Sequence, residues 1–140
     1  MKHNRAFVAA VMFASLATTA CFGPRELRLT ASPDVPAAEA KAKITTSDNG
    51  NTKIDLTVHH LALPDRVDPS ATVYVVWVRG DDANRRSQNL GALRVDGDLN
   101  GAFSGVTPLK SFELFITPES SQTVTEPRGR TVLSTNVSGS

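Results

Sequence analysis

Asp96-Gly97-Asp98-Leu99-Asn100-Gly101 sets side-chain oxygens at alternate positions and closes on a glycine, the D-x-D-x-N-G opening of a twelve-residue calcium loop. Three such oxygens can converge on a hard cation. The twelfth position is Thr107, where a bidentate Glu is needed, and the flanking residues read as strand. Without that carboxylate, Asp96, Asp98 and Asn100 make at most a weak calcium site. The same residues serve a hairpin turn, because Asp, Asn and Gly tolerate positive φ. A turn with no metal is therefore the expectation. His59-His60 closes a strand-like segment, and neighbouring strand residues face opposite ways, so the two imidazoles diverge. Asp65/Asp68 and Asp81/Asp82 are carboxylate pairs in loops, with nothing to fix their separation. Arg85-Arg86 beside Asp81 and Asp82 makes a mixed-charge loop. No serine stands in a G-x-S-x-G elbow, and no glycine-rich loop opens a helix onto a phosphate. Ser121 to Pro127 is extended and polar, suited to an exposed recognition segment or a plain inter-strand connection. The expectation is a protein that is not an enzyme and has no catalytic residues and no cofactor.

The single cysteine, Cys21, excludes an internal disulfide and any multi-cysteine zinc or iron–sulfur site. Its setting is informative. Lys2, His3 and Arg5 form a positive head, Ala6 to Leu16 is an apolar run broken by Ser15, and Ala17 to Ala20 are small residues. These are the three parts of a cleavable secretory signal helix. A permanent span would need about 20 apolar residues. Thr18-Thr19-Ala20-Cys21 resembles the lipobox of bacterial lipoproteins, departing from it at Thr18, where an aliphatic residue is usual. The resemblance implies that Cys21 is the lipid attachment site and the mature N-terminus, carrying acyl chains ample for stable anchoring. Ordinary cleavage after Ala20, leaving a free thiol, is the alternative. Phe22 stands where inner-membrane retention would use Asp, which implies an outer-membrane or cell-surface destination. Export to the periplasm or cell exterior is expected on either reading.

The whole chain has 15 Lys+Arg against 14 Asp+Glu in 140 residues. Loss of residues 1–20 takes Lys2 and Arg5, leaving 13 basic groups against 14 acidic. Such a balance offers no concentrated basic surface for nucleic acid. The expected partners are a membrane, through the lipid anchor, and a further envelope protein.

The rest of the chain has a period of two. Residues 21–36 carry Pro24, Pro33 and Pro36 around one strand-like segment, Glu26 to Thr30, and read as a tether after the lipidated cysteine. Ala38 to Thr45 and Lys53 to Val58 alternate apolar with polar around Ser47-Asp48-Asn49-Gly50-Asn51, a strong hairpin signal. Thr72 to Arg79 (TVYVVWVR) is apolar on both faces, as in a central strand covered on each side. Leu90–Val95, Ala102–Val106, Ser111–Thr117 and Arg130–Val137 supply further strands, and Leu61 to Pro69 is a loop. The all-β pattern predicts an immunoglobulin-like antiparallel β-sandwich of about seven or eight strands over residues 37–140, with a small open barrel as the alternative. Tyr74, Trp77, Phe103, Phe112 and Phe115 are the expected bulk of its core.

Val73 to Val78 (VYVVWV), Leu90-Gly91-Ala92-Leu93, Phe112 to Glu119 (FELFITPE) and Pro127-Arg128-Gly129 before Val132-Leu133 are similar to the extracytoplasmic domain of anti-sigma-K factor-type regulators. The resemblance covers residues 72–133 and implies a small β-sandwich on the outer face of a membrane. That family's sigma-binding helical region and transmembrane helix have no counterpart here, so sigma-factor sequestration is not implied. Three functions are consistent with these features: a non-catalytic envelope lipoprotein that binds, senses or supports structure; an extracytoplasmic regulatory domain acting with a membrane partner; and a weak calcium-dependent binding domain.

Overall fold

A computed structural model describes residues 23–82 and 85–139. Eight strands follow in order: β1 (Arg25–Ala31), β2 (Glu39–Thr46), β3 (Thr52–His59), β4 (Val73–Gly80), β5 (Ser87–Val95), β6 (Gly101–Thr107), β7 (Phe112–Glu119) and β8 (Leu133–Val137). One short helix, α1 (Pro64–Val67), lies between β3 and β4. All strand pairs are antiparallel, and the order β1-β2-β3-β6-β5-β4-β7-β8 closes on itself as β8 meets β1.

The expected β-sandwich is therefore replaced by a closed eight-stranded barrel. The cause lies in two strands that each serve two sheets. β1 pairs with β2 through Arg25 to Leu29 and then with β8 through Thr30 and Ala31. β5 pairs with β4 through Ser87 to Leu93 and with β6 through Arg94 and Val95. A sandwich would leave these edges unpaired, whereas shared strands remove them. β5 carries a bulge ahead of the point where it changes partners: Val76 faces Gly91 but Trp77 faces Asn89, leaving Leu90 extra. Gly91 has φ +136°, a conformation closed to residues with a Cβ, and it lets the strand bend.

The alternation observed in the sequence decides what faces the lumen. Ala40, Ala42 and Ile44 of β2 and Ile54, Leu56 and Val58 of β3 point inward and are buried. Their neighbours Lys41, Lys43, Lys53 and Asp55 lie on the outside. Tyr74, Val76 and Val78 of β4 and Phe112, Leu114 and Ile116 of β7 complete the interior packing. Phe103, only partly buried, packs against this core from β6. One end of the barrel is crossed by the β3–β4 connection, where Leu61 is buried and the Tyr74 hydroxyl donates to the Ala62 carbonyl at 2.6 Å. At the other end, the β6–β7 link is held by the Thr52 hydroxyl on the Leu109 carbonyl at 2.8 Å.

The segment expected as a tether is mostly part of this body. β1 is a full barrel strand, Leu29 is buried, and Val35 in the following loop is 3% exposed. Pro33 and Pro36 stand in a turn that packs onto the barrel. The signal segment and Cys21 lie outside the described residues.

Candidate functional site

β4 and β7 are apolar on both faces because both faces are covered. Trp77 and Phe115, expected in the main core, sit with Val73 and Val75 on the outer wall as a second apolar cluster. Their rings stack with centroids 6.4 Å apart and planes 15° from parallel. The cover is the β7–β8 connection, residues 120–132, in which Val124 packs on the cluster. Asn89 of β5 pins the outgoing half of this lid, donating to the Gln122 and Val124 carbonyls at 2.9 and 2.8 Å.

Glu119 holds the returning half. Its side chain is buried, with the residue 3% exposed. The Trp77 indole N–H donates to Thr117 Oγ1 at 2.9 Å, and the Thr117 hydroxyl donates to Glu119 Oε2 at 2.5 Å. The carboxylate also accepts the Arg128 and Gly129 amide N–H groups, each at 3.1 Å. A buried carboxylate satisfied by several donors ties the wall to the lid in one network. Gly129 approaches so closely that a Cβ there would sit 2.0 Å from the Pro118 carbonyl oxygen. Any side chain at that position would lift the lid.

Beside the lid lies an open cleft of about 890 Å³, lined by Arg79, Arg85, Arg86, Ser87, Phe115, Thr125, Glu126, Pro127, Gly129 and Thr131. Arg79 leaves the end of β4 and lays its guanidinium 4.6 Å from the centre of the Phe115 ring. Its Nε donates to Ser87 Oγ at 3.2 Å, and its Nη1 stands 3.4 Å from Glu113 Oε2. Arg85 and Arg86 enter from the exposed β4–β5 loop. Arg85 has φ +34° and donates its amide N–H to the Asp82 carbonyl at 3.2 Å. Among the described residues, neither Arg85 nor Arg86 has an ion-pair partner. The cleft thus offers three guanidinium groups, three hydroxyls and one carboxylate, a lining that favours anions. Its residues come from three separate stretches of chain, and no spacing in the sequence relates them. Arg85-Arg86 and the Ser121–Pro127 segment each stood out in the sequence, and the structure brings them to one place.

The remaining candidates are dispersed. Asp96, Asp98 and Asn100 form the β5–β6 turn, and Asp96 Oδ1 accepts the amide N–H groups of Asp98 and Asn100 at 2.9 and 3.0 Å. Leu99 takes the positive φ of +65°. The Asn100 side-chain oxygen is 2.9 Å from His59 Nδ1. Thr107 lies at the far end of β6, about 20 Å away at some 3.3 Å per strand residue. Among the described residues, no three His, Cys, Asp or Glu side chains converge to hold a metal. His59 and His60 are both exposed, and His60 takes φ +55° at the end of β3. Asp68 turns its carboxylate onto Ser70, and the hydrogen bonds from the Ser70 hydroxyl and amide lower its pKa. Asp65 belongs to α1, away from Asp81 and Asp82 in the β4–β5 loop. A smaller hollow of about 280 Å³, lined by Asp34, Val67, Asp68, Pro69, Pro118 and Arg130, lies on another part of the surface. No protein-family model, no curated protein and no solved structure matches the chain.

Proposed function

We infer that this chain is a non-catalytic envelope lipoprotein: a small barrel exported from a bacterial cell, held at a membrane through Cys21, and working as a binding module. The observation that carries the reading is the inside–outside order of the barrel. A barrel that crosses a bilayer turns apolar side chains outward over strands of about 9–11 residues. This one packs Ile54, Leu56 and Val58 inward and presents Glu26, Arg28, Lys41, Lys43, Lys53 and Asp55 outward on strands of 7 and 8 residues. Attachment to a membrane then falls to the leader and Cys21, whose residue pattern supports it. Because the lumen is packed with side chains, binding falls to the outer wall, where the lid and the β4–β5 loop frame the arginine cleft.

Growth of the producing bacterium with a clickable fatty acid tests the anchor. The wild-type protein should take up the label and Cys21→Ala should not. An unlabelled wild-type protein recovered from the exported fraction overturns the anchor.

A further inference from the structure

We propose that the cleft of Arg79, Arg85 and Arg86 binds the phosphate group of an anionic ligand. The lining is rich in donors. Three guanidiniums supply N–H groups in planar forks, and Ser87, Thr125 and Thr131 add hydroxyls around the same space. Glu126 is the only carboxylate among the lining residues. A phosphate group matches such a set better than a neutral ligand, because its several oxygens can each accept from a fork or a hydroxyl. Arg79 is already positioned by Phe115, Ser87 and Glu113, the last two engaging its Nε and Nη1, so its remaining N–H groups are held in place before any ligand arrives. Arg85 and Arg86 are exposed and carry charge that no carboxylate of the described residues neutralises within ion-pair distance.

The place of the cleft suggests where the phosphate comes from. Arg25, the first residue of β1, donates from Nη2 to the Ser138 carbonyl at 2.6 Å, just past the end of β8. Val137 of β8 pairs with Phe112 of β7, which pairs with Gly80 of β4. The β4–β5 loop with its arginines therefore leaves the same end of the barrel at which β1 begins. Only Phe22, Gly23 and Pro24 separate that end from Cys21. If Cys21 is acylated, this end faces the lipid surface, within reach of phosphate headgroups. The headgroup source rests on the anchor reading; phosphate binding by the cleft does not.

The test uses the purified mature chain, residues 21–140 carrying Cys21→Ala, so that neither the leader nor an acyl chain drives association. Addition of inorganic phosphate should shift the backbone amide resonances of Arg86, Ser87, Gly129 and Thr131 saturably, with a Kd on the order of 1 mM or tighter. Arg85→Gln/Arg86→Gln should weaken binding by about tenfold or more and leave the melting temperature in place, since both side chains are exposed. Cosedimentation with phosphatidylglycerol vesicles but not phosphatidylcholine vesicles, lost in the double variant, supports a headgroup source. Phosphate binding without vesicle binding supports a soluble phosphate ligand. Absence of shifts at the cleft, or shifts unchanged in the double variant, overturns the site. Failure of fatty-acid labelling at Cys21 would leave the phosphate result standing and remove only the headgroup source.

Discussion

Glu119→Ala is the substitution that most directly tests whether the lid is part of the folded wall. The carboxylate accepts hydrogen bonds from the Thr117 hydroxyl and from the Arg128 and Gly129 amides, while Thr117 in turn accepts from Trp77. Bonds to a charged acceptor contribute about 1.5–3 kcal/mol each. Some of the three will be replaced by water once the lid loosens, because Arg128 is exposed. The expected net loss is about 2–4 kcal/mol, a large share of a typical domain stability of roughly 5–15 kcal/mol. Glu119→Gln keeps the shape and one acceptor oxygen, but its amide group donates where the carboxylate accepted, so about 1–2 kcal/mol is expected. Trp77 is the only tryptophan and reports on the junction itself. Urea unfolding followed by its fluorescence should give a lower midpoint for Ala than for Gln, with red-shifted native emission in Ala as water reaches the indole. A Glu119→Ala protein within about 0.5 kcal/mol of wild type and with unchanged emission would refute the view that this carboxylate secures the lid.

Tyr74→Phe should cost about 1 kcal/mol in thermal or urea unfolding by removing the bond to the Ala62 carbonyl. Burial first, then the charge of Asp65, raises the Tyr74 pKa well above its ordinary 10.0. The unfolded chain loses this proton near that ordinary value while the native state keeps it, so the contribution is complete below about pH 10 and declines as pH rises further. The difference in pH dependence between wild type and Tyr74→Phe above pH 10 measures it. Millimolar calcium should leave the melting temperature unchanged, because Asp96 Oδ1 is engaged in its own turn and no third acidic, His or Cys side chain of the described residues converges there. A calcium-dependent rise in melting temperature, abolished by Asp98→Ala, would reverse that assignment.

The strands were legible because each has one face in the core. Ile54, Leu56 and Val58 alternate with Lys53, Asp55 and Thr57, and the turn at Ser47 to Asn51 carries Gly50 at φ +82° with Ser47 N–H bonded to the Asn51 carbonyl. α1 was hidden inside a proline-broken loop, although Pro64 at its first turn is a favoured helix start. Closure was not legible, because alternation tells each side chain which face it takes and says nothing about which edge the strand will meet. One residue did mark it: Gly91, alone in a strand pattern, is the kind of glycine that sits at a bulge. Prolines 33 and 36 concealed that β1 belongs to the barrel, since they interrupt the pattern without interrupting the packing of Leu29 and Val35. Trp77 and Phe115 are buried, as their aromatic side chains imply, but on the outer wall and not in the lumen. Their cover comes from residues 120–132, a polar segment whose contribution is largely backbone and the side chain of Val124. The cleft depends on the same lid, so no spacing in the sequence joins its arginines to its hydroxyls.

The mass of the intact protein extracted from membranes of the producing cell tests the central claim most directly. A chain that begins at Cys21 and carries the added mass of acyl chains is the predicted result. A chain that still begins at Met1, or one that begins at Cys21 with an unmodified thiol, would contradict it.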